Sequence, residues 1–120
     1  MSKDVLQRVF HKAVGGVVAQ GCLGMDAPGG VCRYRTSGGP KCGIGHLIPD
    51  EEYEPAFEEL GVRSIVGRVP ALADLGDWVG LDFLERLQSC HDDSDSLERF
   101  VLEARELAEQ YQLDPAVASL

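Results

Sequence analysis

Eight apolar residues near the start of the chain, Val5, Leu6, Val9, Phe10, Ala13, Val14, Val17 and Val18, recur at three- and four-residue steps. On an α-helix that spacing gathers them into one stripe. So long a stripe must be covered, which predicts a helix over residues 2–20 with other elements packed on it. Ser2 is placed to cap its start and Gly21 to end it. Gly15 and Gly16 lie inside the pattern, each costing about 1 kcal/mol of helix propensity. Their expected use is close approach of another backbone, with a kink as the rival reading.

The next segment, GCLGMDAPGG over residues 21–30, is dominated by glycine and reads as a loop. Two short runs around the turn TSGGP then read as a β-hairpin, with strands near 31–35 and 41–48. Strand alternation puts Cys32 and Tyr34 on one face, and Cys42, Ile44, His46 and Ile48 together on the second strand. Gly43 and Gly45 fall opposite, where a missing side chain lets a helix pack closely.

Asp50 is expected to cap a helical turn through Glu51-Glu52-Tyr53, and Pro55 to begin another, closed by Leu60-Gly61. Residues 62–75 look helical but are split by Gly67 and Pro70. Asp77 or Gly80 opens a firmer helix carrying Leu81, Leu84, Leu87 and His91. After the connector HDDSDS, Asp95 or Ser96 caps a last long helix with Leu97, Phe100, Val101, Ala104, Leu107, Ala108 and Tyr111 inward. Residues 114–120 form a short tail. The expected fold class is α+β: a single domain over 1–120, about five helical segments around one small hairpin.

Composition narrows the function. Among 120 residues, 11 Lys+Arg face 20 Asp+Glu, for a net charge of -9. Phosphate contacts come from basic side chains, so direct nucleic-acid binding is not expected. No apolar run reaches the ~18 residues of a membrane span. The N-terminus lacks a secretory pattern, which makes the cytoplasm the expected location. The acidity is lopsided: residues 61–120 carry twelve acids and five bases, whereas no acid lies between Val31 and Pro49, where Arg33, Arg35 and Lys41 sit. A surface so charged is read either as a solvated face or as a docking face for a basic partner protein.

Three groups of residues are candidates for chemistry. The four cysteines are read as reduced thiols rather than disulfides. Cys22, Cys32, Cys42 and His46 offer soft metal ligands, but the spacing Cys-x9-Cys-x9-Cys-x3-His lacks a close cysteine pair, and a metal is not favoured. Cys42 with His91 and Asp92 offers a nucleophile, a base and its orienter, provided that they meet in space. The remaining polar residues, Arg35, Asp50, Gln88, His91 and Asp92, are read chiefly as structural. Arg35 and Asp50 tie neighbouring elements, Asp92 caps a turn or pairs with a base such as Arg35, and Gln88 and His91 bond to the hairpin backbone. The glycine-rich run GGVCRYRTSGG lacks the Gly-Lys-Ser/Thr start of a phosphate-cradling helix, and no cofactor is expected.

The run Cys32-Arg33-Tyr34-Arg35, followed by Gly39-Pro40-Lys41-Cys42-Gly43-Ile44-Gly45-His46-Leu47-Ile48-Pro49-Asp50-Glu51-Glu52-Tyr53 and by Leu87-Gln88-Ser89-Cys90-His91-Asp92, resembles a family of small uncharacterised proteins of phages and bacterial genomes. Gly43 departs from that family's usual alanine, and His46 stands where its pattern is variable. The resemblance implies no activity. It implies a compact cytoplasmic domain, of phage or prophage origin, in which Cys32, Tyr34, Arg35, Cys42, Asp50, Tyr53, His91 and Asp92 form one constellation, with Gln88 added by its helix face. The expected function is a non-enzymatic, acidic protein-interaction module, such as a phage-encoded modulator or inhibitor of a host protein. The alternative is a small thiol-dependent enzyme or ligand sensor using Cys42, His91 and Asp92, with Tyr34 and Arg35 positioning a ligand.

Overall fold

The computed structural model describes residues 3–25 and 33–120. Among the described residues there are four α-helices and four short 3-10 helices: α1 Lys3–Gln20, η1 Gly45–Leu47, η2 Asp50–Glu52, η3 Pro55–Glu59, α2 Val62–Val66, η4 Pro70–Leu75, α3 Trp78–Asp92 and α4 Leu97–Gln110. The apolar stripe of α1 is the centre of the core. Phe10, Ala13, Val14 and Val17 have no solvent exposure, and they share the interior with Ile44, Phe83, Leu84, Leu87, Phe100 and Ala104.

The long helices start where side-chain caps are available. Asp77 accepts from Gly80 N at 2.8 Å to open α3, and Ser96 accepts from Arg99 N at 3.1 Å to open α4. Each satisfies one of the backbone donors that a helix start leaves unpaired. Gly21, with φ of 81°, turns the chain after α1. The Ser2 cap and the 26–30 part of the glycine-rich loop lie outside the described residues. Gly15 and Gly16 admit side chains rather than a backbone. An added Cβ would lie 2.8 Å from Val117 Cγ2 at Gly15 and 2.5 Å from the His46 ring at Gly16. The tail folds back on α1 in the same region, where the Gln7 side chain pairs with both the N–H and the C=O of Asp114.

The α+β expectation is overturned: the fold is mainly helical, and the described part of the expected hairpin contains no strand. Residues 31 and 32 lie outside the described residues, but 33–48 are turns followed by η1. Two bonds run across the segment, Cys42 N to Arg33 O and Thr36 N to Pro40 O. The later amides turn to their own neighbours instead: His46 N to Cys42 O, Leu47 N to Ile44 O and Ile48 N to Gly45 O. Burial explains the outcome. A half-buried strand hides alternate residues, whereas Cys42, Ile44, Gly45, Leu47 and Ile48 are all buried, and only a coiled backbone aims that set inward. Gly45 permits the coil, because a Cβ there would stand 1.9 Å from Tyr34 O.

A second correction concerns Asp50. It begins the turn η2 but makes no capping bond there, and the preceding residue, Pro49, occupies the cap position.

Candidate functional site

Eight of the described residues singled out from the sequence, Tyr34, Arg35, Asp50, Tyr53, Cys42, Gln88, His91 and Asp92, fall into two adjoining networks beneath the segment 33–60. In the first, Glu58 is the hub. Its carboxylate accepts from Tyr34 N at 3.0 Å, from Arg35 N at 3.1 Å and from the Tyr53 hydroxyl at 2.5 Å. The Arg35 guanidinium donates to Ile48 O at 2.9 Å, pairs with Asp50 at 2.7 Å and lies over the Tyr53 ring, 4.5 Å from its centroid. Tyr34 donates its hydroxyl to Leu60 O at 2.8 Å. Burial, reinforced by Glu58, pushes the Tyr53 phenol up to about 12. Glu58 was not singled out from the sequence, since nothing in its spacing separates it from Glu54 and Glu59.

The second network surrounds Cys42 and His91. Gly24 N donates to His91 Nε2 at 2.7 Å, so the imidazole proton is on Nδ1, which lies 3.6 Å from Asp92 Oδ1 without a hydrogen bond. Gln88 Nε2 donates to the same Asp92 oxygen at 3.2 Å. Asp92 therefore meets Gln88 and His91, Arg35 being engaged by Ile48 and Asp50 instead, and His91 bonds to the loop after α1 rather than to the segment read as a hairpin. Cys42 has no solvent exposure, and its Sγ accepts from Gly45 N at 3.3 Å. Burial pushes this thiol up to about 12, with Asp92 adding to the rise while bonds from Gly45 and Gln88 oppose it. A thiol so placed is protonated at neutral pH and supplies no nucleophile. Burial also raises the Tyr34 phenol, with the carboxylates of Asp92 and Glu58 adding to the rise.

Gln20, the last residue of α1, is a second participant that the sequence reading missed. Its amide pairs with residue 41 as a strand would, accepting from Lys41 N at 2.9 Å and donating to Lys41 O at 2.6 Å. The same oxygen lies 2.8 Å from His46 Nε2, which must therefore carry a proton. Burial, with Lys41, His91 and Lys12 assisting, pushes His46 down to about 4.

The described residues of the metal alternative do not converge. Cys22 is exposed, Cys42 is enclosed and His46 is committed to Gln20, while Cys32 lies outside the described residues. Among the described residues, no three His, Cys, Asp or Glu side chains are placed to hold a metal ion. The described cysteines Cys22, Cys42 and Cys90 are free thiols.

Away from both networks, α3 and α4 border an open groove of about 500 Å³. Asp82 and Glu85 line it from α3, Asp93 from just past the end of that helix, and Glu103 and Glu106 from α4. Arg86 is the one cation among these lining residues, while Arg63 pairs with Glu85 and Arg99 with Glu103, each at 2.7 Å. Arg86 is held by Asp82 at 3.0 Å. The Tyr111 hydroxyl donates to the same Asp82 oxygen, Oδ2, and that bond holds the Asp82 carboxyl below its ordinary range. Cys90 forms part of the floor, where burial and then the charges of Glu103, Asp93 and Glu106 push its thiol up to about 12.

No protein family, no curated protein and no solved structure matches this chain. No helix among the described residues is long and apolar enough to cross a membrane.

Proposed function

We propose that the chain is a non-enzymatic interaction module that docks through its α3–α4 face on a basic surface of another protein. The observation that carries this reading is the groove, lined by five carboxylates of which Asp82, Glu85 and Glu103 are paired with Arg86, Arg63 and Arg99, while Asp93 and Glu106 add to the negative charge. A concentrated negative field attracts cationic partners and rejects anionic ones, nucleic acids and acidic membranes among them. A partner that itself handles nucleic acid would meet these carboxylates where it otherwise meets phosphates. The phage or prophage setting, and the role of modulator or inhibitor, rest on the sequence resemblance alone.

The thiol-enzyme alternative is set aside because Cys42 is enclosed and its thiol is pushed up to about 12. Its neighbours act as structural partners in this reading: they hold the segment 33–60 against α1 and α3.

Capture of interacting proteins by the wild-type chain and by D93N/E103Q/E106Q tests the proposal. Partners captured by the wild type are expected to be basic, to be released as salt rises from about 50 to about 500 mM, and to be lost with the variant. Partners retained by the variant and indifferent to salt would contradict it.

A further inference from the structure

We propose that a crevice between α1 and η4 binds a free apolar α-amino acid, at a site separate from the α3–α4 groove, with which it shares no lining residue. Val5, Arg8, Val9 and Lys12 stand at i, i+3, i+4 and i+7 on α1 and so form one wall. Leu72, Asp74 and Leu75 of η4 form the other, and Leu47 of η1 also lines the crevice. Glu52 Oε1 accepts from Ala71 N at 2.9 Å and fixes the start of η4. Val9, Leu47, Leu72 and Leu75 are buried, so the floor is continuous with the core. The crevice holds about 180 Å³. An apolar cavity of about 150 Å³ takes up benzene, so a side chain as large as a phenyl ring fits.

The charges on the two walls select the rest of the ligand. Among the described residues, none of Arg8, Lys12 and Asp74 forms an ion pair, whereas Arg35, Arg63, Arg86 and Arg99 each hold a carboxylate of their own fold. Arg8 and Lys12 are like charges one helical turn apart, an arrangement that costs helix stability until an anion sits between them. A simple carboxylate would satisfy them but would be repelled by Asp74 on the facing wall. A simple amine would satisfy Asp74 and meet two cations. An α-amino acid brings both charges on one carbon: its carboxylate pairs with Arg8 and Lys12, and its ammonium group with Asp74. The terminal residue of a peptide carries only one of the two. The apolar floor then favours an apolar side chain, since a polar one would lose water without gaining a partner.

Calorimetric titration of the full chain with L-phenylalanine and L-leucine tests the proposal. Hydrocinnamate and phenethylamine serve as analogues that lack the ammonium and the carboxylate group. At least one of the amino acids is expected to bind saturably, one per chain, and to raise the melting temperature. Both analogues should bind about tenfold or more weakly than phenylalanine. R8Q/K12Q and D74N alter exposed side chains and should melt as wild type does, yet each should weaken amino-acid binding by about tenfold or more. D74N should bind hydrocinnamate no less tightly than wild type does. Hydrocinnamate bound as tightly as phenylalanine, with D74N indifferent, would assign the crevice to a simple anion and overturn the proposal. Amino-acid binding unchanged in both variants would place the ligand elsewhere, and no binding at millimolar concentrations would leave the crevice without this ligand; either result overturns it.

Discussion

The imidazole of His91, in the last turn of α3, accepts the backbone N–H of Gly24 at 2.7 Å and thereby fixes the loop that follows α1 to the far side of the core. Gly24 itself has no room for a side chain, since a Cβ would lie 2.3 Å from Cys42 N. The bond is buried, and the ring also meets Phe100 edge-on.

Replacing that acceptor should therefore cost stability. H91L roughly preserves the volume but leaves the Gly24 donor unpaired, and a loss of about 1–3 kcal/mol is expected in denaturant unfolding. A variant as stable as wild type would show that the bond contributes nothing.

Close approach gives a second expectation. G45A drives a methyl group into Tyr34 O and should destabilise by at least about 1–3 kcal/mol, whereas G61A, which meets nothing within 4 Å, should be near neutral. Comparison of the two melting curves checks it.

The shifted histidine sets an acid limit. His46 titrates near 4 in the folded chain against about 6.5 when unfolded, so the unfolded state takes up the proton first as pH falls. The stability tied to this group is fully present above about pH 6.5 and is lost progressively down to about pH 4. H46Q, which retains a donor for Gln20, should flatten that part of the stability–pH curve.

The thiols set an alkaline limit by the opposite route. Cys42 and Cys90 are raised to about 12, so the unfolded chain loses its thiol protons first, and stability should fall as pH rises from about 9 toward 12. At pH 7.5 a thiol reagent should label the exposed Cys22 and leave Cys42 and Cys90 unmodified, as read by peptide mass spectrometry.

The three long helices were legible because each combines a 3.6-residue apolar stripe with a boundary signal: Gly21 ends α1, Asp77 opens α3 and Ser96 opens α4. The interruption at Gly67 and Pro70 was legible for the same reason, since proline ends one element and begins the next. The segment 33–48 was misread because the alternation rests on only four positions, Cys42, Ile44, His46 and Ile48, and the adjacent Leu47 and Ile48 are buried together. No local pattern reveals that Gln20 and Glu58 take the place of backbone partners. Their roles depend on tertiary placement, whereas the meeting of Gln88, His91 and Asp92 follows from their spacing on one helix. The acidity of the second half was visible in composition, but its gathering into a groove required the pairing of α3 with α4.

One binding measurement separates the structural cluster from the docking face: salt-sensitive capture of basic partner proteins by C42A and by D93N/E103Q/E106Q, each confirmed as folded at the assay temperature. C42A should bind as wild type does despite a lower melting temperature, while the acid-neutralised variant should lose most of its affinity with little change in melting. Loss of binding in C42A with retention in the acid-neutralised variant would contradict the account and return function to the cluster around the buried thiol.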